Sequence, residues 1–263
     1  ILYGFAKPPI TLISMNWPNS AEENRNSRMK IATVNYSGSV GKTVTTSHLL
    51  APRIPDAEII AVESTNESAA DLGLNVEQMR GGQFGRLFRK LLMTDTAIVD
   101  VGASNIEDFL AELVKYDQAH LEIDYYVLPV VASGKAQRET IKTIEMLAQM
   151  GVPAERIRVL FNRVDSDVRE EFAAIFGYAQ QSGDFRANPE AAIFENEVFD
   201  LLANKRTTIR EILADPRNYR QELREADRHD AKLISHLSDM HSLQSLARPV
   251  DLQLDKAFDA LFM

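Results

Sequence analysis

The chain contains no cysteine. It can therefore form no disulfide framework and perform no thiolate chemistry, an absence that fits a reducing cytoplasm. It has no apolar run near the ~20 residues of a membrane-spanning helix. Its most apolar stretch, Tyr125 to Ala132, has the length of a strand. Positive charge is also short, with 29 Lys and Arg against 38 Asp and Glu and a net charge of −9. Such a chain is a poor non-specific ligand for nucleic acid or an anionic membrane, so DNA contact needs a local basic patch or a partner. Internal repeats and low-complexity tracts are missing too. What remains, 45% hydrophobic and 25% charged over 263 residues, reads as one large globular domain, or one domain with an appendage.

The most informative stretch is Ser37-Gly38-Ser39-Val40-Gly41-Lys42-Thr43. It follows the apolar run Ile31–Val34 and opens into Val44–Leu50, so it reads as strand, glycine loop, helix. That is the context of a phosphate-binding loop. Glycines let successive N–H groups face a phosphate, and the following helix adds its positive end. Lys42 would reach the β- and γ-phosphates, and Thr43 would ligate Mg²⁺. The full pattern wants glycine at position 36, where this chain has Tyr36. The plain alternative is a Gly/Ser turn that happens to end in Lys-Thr.

Residues 1–28 lack periodicity and carry no secretion-signal pattern. They read as a non-native or disordered segment ahead of a natural start at Met29. Beyond it, strand-like runs occur at Ile31–Val34, Glu58–Val62, Thr96–Val101, Tyr125–Val131 and Ile157–Phe161. Helical stretches fall at Gly41–Leu50, Gln83–Leu92, Ile106–Tyr116 and Lys135–Met150. Alternating βα units predict a doubly wound, mostly parallel α/β sheet covered by helices on both faces. The nucleotide-binding domain is expected over 29–203, with a helical C-terminal extension, 204–263, packed on it. Helix breaks are expected at Asp215-Pro216 and Arg248-Pro249. The interleaved Arg and Glu of this extension read as a solvated helix face, with a DNA-contacting patch as the minority alternative.

Ligands of parallel α/β sheets sit beyond the carboxyl ends of the strands. Asp100 closes the apolar run Ala97–Val99, as an acid that helps hold Mg²⁺ does. Ser104 and Asn105 are better placed than Asp100 to cap the next helix. Gly102 would let its loop approach the γ-phosphate. Glu63 ends the second strand and would position an attacking water, or is a solvated loop acid. Asn162 would hydrogen-bond a purine edge. Asn162-Arg163-Val164-Asp165 also resembles the guanine-reading element Asn-Lys-x-Asp, although Asp165 and Ser166 suit a helix cap.

The segment MKIATVNYSGSVGKTVTTSHLLAPRIPDAEIIAVEST, with TAIVDVGASNIEDFL and DYYVLPVVASGKAQRETI, resembles the StbB group of plasmid stability proteins, within the ParA/MinD class of phosphate-loop ATPases. The likeness extends to ELREADRHDAKLISHL and ARPVDLQLDKAFDALF. It implies a doubly wound sheet, ATP and Mg²⁺, a nucleotide-dependent homodimer, a cytoplasmic bacterial location, and work in plasmid stability or partition, sometimes linked to conjugative transfer. A plasmid-encoded DNA-binding partner would read the switch, with direct DNA binding weak or indirect and no membrane role. Carried over by motif, Ser37, Gly38, Ser39, Val40, Gly41, Lys42, Thr43 and Val44 form the loop, Asp100 is the Mg²⁺-side acid, Glu63 is the acid after the second strand, and Asn162 sits at the adenine side. The class places a second lysine where this chain has Ser37. Lys135, after the fourth strand, is the candidate substitute cation, or else an ordinary helix lysine. The same features fit a nucleotide-sensing adaptor with negligible hydrolysis, or a GTP-specific switch.

Overall fold

The structure is a computed structural model and describes residues 28–63, 76–79 and 83–263. The expectation for residues 1–28 therefore lies, but for Arg28, outside the described residues, as does Ser64-Thr65-Asn66.

Seven strands form one sheet: β1 Lys30–Thr33, β2 Glu58–Val62, β3 Val76–Met79, β4 Ala97–Val101, β5 Tyr125–Val130, β6 Ile157–Val164 and β7 Ala192–Phe194. Their order is β3-β2-β4-β1-β5-β6-β7, and every neighbouring pair is parallel. Alternation along each strand divides the core in two. Ala32, Val99, Leu128 and Val159 belong to one cluster and Ile31, Ile98, Val127 and Leu160 to the other. The first cluster is covered by α2 Phe84–Met93, α3 Ile106–Lys115 and α4 Gly134–Gln149. This is the doubly wound parallel arrangement predicted from the alternating pattern.

Two short helices, α5 Val168–Glu171 and α6 Ala173–Ser182, separate β6 from β7. The second face is covered from further along the chain: α7 Val198–Lys205, α8 Ile209–Ala214, α9 Tyr219–Glu225 and α10 Ala231–Phe262. Leu202, Ile212, Leu243, Val250, Leu254 and Phe258 bury against Ile31, Ile98 and Leu160 in a shared cluster.

The break expected at Asp215-Pro216 is present, since α8 ends with Asp215 as its C-cap. The break expected at Arg248-Pro249 is not: α10 runs 32 residues with Pro249 inside it. A mid-helix proline costs about 3 kcal/mol. Val250, Leu254, Phe258 and Leu261 are all buried beyond it, and each such side chain contributes roughly 1.5–3 kcal/mol. Burial outweighs the lost hydrogen bond.

A bounded difference concerns the fifth predicted strand. β6 continues past Phe161 to Val164, so Asn162 and Arg163 lie within a strand, not in the loop after it.

Candidate functional site

β1 delivers the chain to the carboxyl edge of the sheet, where the loop begins. Polar bonds shape its first half. Asn35 Nδ2 donates to the Pro129 carbonyl at 2.9 Å and to Thr140 Oγ1 at 2.7 Å. Asn35 Oδ1 accepts from the Ser37 amide at 2.9 Å, and the Tyr36 amide donates to Thr143 Oγ1 at 3.1 Å. Thr140 and Thr143 sit on the buried face of α4, so that helix holds the loop's entry. Ser37 itself is buried.

The second half turns through left-handed backbone at Ser39 (φ 56°) and Gly41 (φ 87°). Only glycine suits position 41. A Cβ there would lie 2.1 Å from Asn162 Nδ2. That same amide donates to the Val40 carbonyl at 2.8 Å. Asn162 thus braces the loop from behind; it is buried and does not line the cleft. After Gly41 the chain enters a short α-helix, α1 Lys42–Val44, which widens into a π segment, Thr45–Leu50. The Ala51 amide bonds the Thr46 carbonyl, five residues back, at 2.9 Å. Such widened turns are frequent at functional sites. The end of this segment is fastened to α10, where Arg53 donates to Asp251 Oδ1 at 2.8 Å and Asp255 Oδ1 at 2.9 Å.

Parallel register then assembles the charged groups. Thr33 pairs with Asp100, which brings the acid beside the loop. Asp100 is 1% exposed. Burial raises its pKa to about 6, against the opposing pull of the Lys42 ammonium and a hydrogen bond with Thr43. Lys42 is 9% exposed and donates to the Ser37 carbonyl at 2.9 Å and the Asn35 carbonyl at 3.3 Å. Burial lowers its pKa, partly offset by Asp100 and Glu63. Burial outweighs mutual attraction at both groups, because the lysine spends its donors on carbonyls instead of the carboxylate. Glu63 leans over Gly102, where an added Cβ would meet Glu63 Cγ at 3.2 Å. A cleft of about 420 Å³ results, lined by Gly38, Ser39, Gly41, Lys42, Thr43, Val44, Glu63, Gly102, Ala103, Ser104 and Arg163.

The donor set fits Mg²⁺. Asp100 Oδ2 is buried and has no hydrogen-bond partner among the described residues. The Thr43 hydroxyl bonds the same carboxylate. Among the described residues no group of three or more His, Asp or Glu gathers to hold an ion, so phosphate oxygens and water would complete the shell. A bound ion would neutralise charge on the phosphate oxygens.

Other candidates sit elsewhere. Lys135 is 79% exposed at its side chain, pairs with Glu139 at 3.7 Å and does not line the cleft. Asp165 and Ser166 do not cap the next helix. Asp167 does, accepting from the Arg169 and Glu170 amides, because two further residues are needed to turn out of the longer β6. Glu171 accepts the Asp165 and Ser166 amides instead. Asn105 is the residue before α3, but its side chain makes no capping hydrogen bond. A larger hollow of about 630 Å³ lies between Asp215–Arg220 and Arg248–Pro249, and it has none of this chemistry.

Sequence reasoning missed Asn35, Thr140 and Thr143, which shape the loop, and Arg53, which anchors its helix. Two threonines on the apolar face of α4 were the available signal.

No protein-family model and no curated protein matches the chain. Solved structures do. A Cyanothece McdA variant in complex with ATP is 16% identical, with a TM-score of 0.50 over 87% of this chain and 97% of that one. A ParA family ATPase from Chlorobium tepidum is 14% identical, with a TM-score of 0.44 over 81% and 97%. The MinD cell division protein of Aquifex aeolicus is 12% identical, with a TM-score of 0.45 over 84% and 96%. At such identity the likeness is one of fold alone, that of a parallel sheet flanked by helices.

Proposed function

We propose that this chain is an ATP-binding, ATP-hydrolysing switch protein of the ParA/MinD type that acts in plasmid stability or partition. The observation that carries the reading is the cluster at the edge of β1 and β4. A glycine-tight loop presents Lys42 and Thr43 beside a buried carboxylate whose Oδ2 lacks a partner among the described residues. A triphosphate with Mg²⁺ satisfies all of these groups at once. Lys42 and the loop amides would hold the β- and γ-phosphates. Glu63 would orient water, and Asn162 keeps the loop in shape. Chemistry would rest on positioning and electrostatics, as phosphoryl transfer requires.

The plasmid role, the homodimer and a DNA-binding partner rest on the sequence resemblance. The conjugative link rests on it as well. In such a dimer Lys135, exposed on its own chain, would act across the subunit interface. A second reading is supported by Ser37. Its side chain is buried under the loop, so the loop offers Lys42 as its sole lysine. A nucleotide-sensing adaptor with negligible hydrolysis would have this feature.

Calorimetric titration with Mg-ATP, beside multiple-turnover phosphate release, tests both. The parent should bind ATP, prefer it to GTP, and turn it over slowly. Lys42→Ala should weaken ATP binding at least about a hundredfold, the loss of a buried charge-assisted contact, with the melting temperature held. Equal ATP affinity in the two proteins overturns the phosphate-loop reading. ATP binding without turnover favours the adaptor.

A further inference from the structure

We infer that the larger hollow, at Pro249 of α10, is a docking site for an acidic segment of a partner protein, held by a carboxylate and a neighbouring backbone N–H. The hollow, of about 630 Å³, lies between the α8–α9 connection, the start of α9 and the middle of α10. It shares no residue with the nucleotide cleft, so the inference does not depend on the nucleotide reading.

Its charge is opposite to that of the chain. The chain carries a net −9, yet three arginines, Arg217, Arg220 and Arg248, line the hollow against one acid, Asp215. Asp215 is already engaged. Its Oδ1 accepts the Arg217 amide at 3.0 Å, its Oδ2 accepts the Tyr219 hydroxyl, and its carbonyl accepts Gln244 Nε2 at 3.3 Å. Arg217 is engaged too, paired with Glu222 and lying 4.7 Å from the centroid of the Tyr219 ring. Arg220 of α9 and Arg248 of α10 are exposed, and neither has an ion pair or side-chain hydrogen bond among the described residues. Two unengaged guanidiniums on adjoining helices suit a carboxylate.

Pro249 selects among anions. A helical carbonyl takes its hydrogen bond from the amide four residues on, and Pro249 has none to give Ser245. Burial beyond Pro249 offsets the energy of that bond but supplies no donor. Ser245 and Pro249 both line the hollow. The site therefore sets two cationic donors beside a backbone acceptor that lacks its helical donor. An acidic peptide answers both, since each Asp or Glu carries its carboxylate close to a backbone N–H. The phosphates of a nucleic acid offer acceptors alone and would leave the carbonyl unmatched.

The test is fluorescence anisotropy of the full chain with a labelled hexapeptide of alternating Glu and Gly, with melting temperatures on the same preparations. Arg220→Gln and Arg248→Gln should each weaken the peptide about tenfold, one charge-assisted contact apiece. Arg224→Gln removes the same charge from α9 outside the hollow and should change affinity by less than about twofold. Pro249→Ala gives the Ser245 carbonyl its amide and should weaken the peptide a few-fold; should it fail to fold, the arginine variants decide alone. Glutarate or inorganic phosphate binding as tightly as the peptide would make this a small-anion site and overturn the inference. Duplex DNA that binds more tightly than the peptide through Arg220 and Arg248 would make it a nucleic-acid face and overturn it. So would a parent that does not bind the peptide, equal losses at Arg224 and the two hollow arginines, or unchanged affinity in a folded Pro249→Ala.

Discussion

The Ser37–Thr43 loop and the long helix α10 break local rules for opposite reasons. At the loop, left-handed backbone at Ser39 and an orphaned Asp100 oxygen stay uncompensated among the described residues. At α10 the offence is Pro249, and four buried apolar side chains beyond it outweigh the cost. A broken rule that the fold compensates is architecture. One that it leaves open, beside a cleft, is where a ligand would find a group still to be partnered. The regions meet at Arg53, which ties the end of the loop's helix to Asp251 and Asp255.

The sharpest way to break the comparison is Gly41→Ala. The new Cβ would force Asn162 off the Val40 carbonyl, in a backbone already at φ 87°. ATP affinity should fall by more than about a hundredfold, with a stability loss of roughly 1–3 kcal/mol; titration and urea denaturation read the two separately.

Leu254→Ala attacks the other region. Leu254 is buried in the cluster beneath α10. Urea unfolding should show a loss of about 2–5 kcal/mol from the transfer and cavity terms. ATP affinity of the folded fraction should hold, since no cleft residue is touched.

Asp100→Asn should act the other way, and it has a pH signature. The folded-state pKa of Asp100 is raised from 3.8 to about 6 by burial. Between those values the folded chain keeps a proton that the unfolded chain has released, so stability falls as pH rises through the window. His48 is the counterweight: burial lowers its pKa from 6.5 to about 4, so its contribution rises with pH over nearly the same window. The two slopes oppose each other. Asp100→Asn should leave the rising slope exposed and raise stability at pH 7, by roughly 2–3 kcal/mol. Urea midpoints at pH 4.5, 5.5 and 7 measure this. Mg²⁺-dependent ATP binding should drop sharply in the same variant.

Pro249→Ala sharpens the contrast most gently. An amide is restored inside α10, but the unfolded chain also gains freedom when the proline goes, which offsets part of the ~3 kcal/mol; the melting temperature should rise by a few degrees, for a net gain of about 1 kcal/mol at this chain length. A fall would show that the proline bend is needed for packing.

Much of this was legible in the residues. Buried strands such as Ala97–Val101 announce themselves by unbroken apolar character. β3 and β7 do not. In β3 only Met79 is buried, and β7 has three residues. Among the described residues both lie at the sheet's edges, with a strand on one side only, and there the apolar signal is weak. The loop, Lys42, Thr43 and Asp100 could be placed because their spacing follows local geometry. Arg163 was read only as part of a guanine-like motif, since it lines the cleft at a bulge of β6 against β7, a partner with no signal of its own.

By itself the sequence determined the strand–loop–helix unit, the alternation that makes a parallel sheet, and the identity of the acids at strand ends. These follow from neighbours along the chain, where φ/ψ preference and apolar period act within a few residues. Tertiary structure alone decided which acid sits buried beside Lys42, why position 41 must be glycine, that Asn162 braces the loop, and that α10 passes straight through Pro249. Each is a contact between distant segments, and its energy comes from desolvation and packing that exist only once those segments meet.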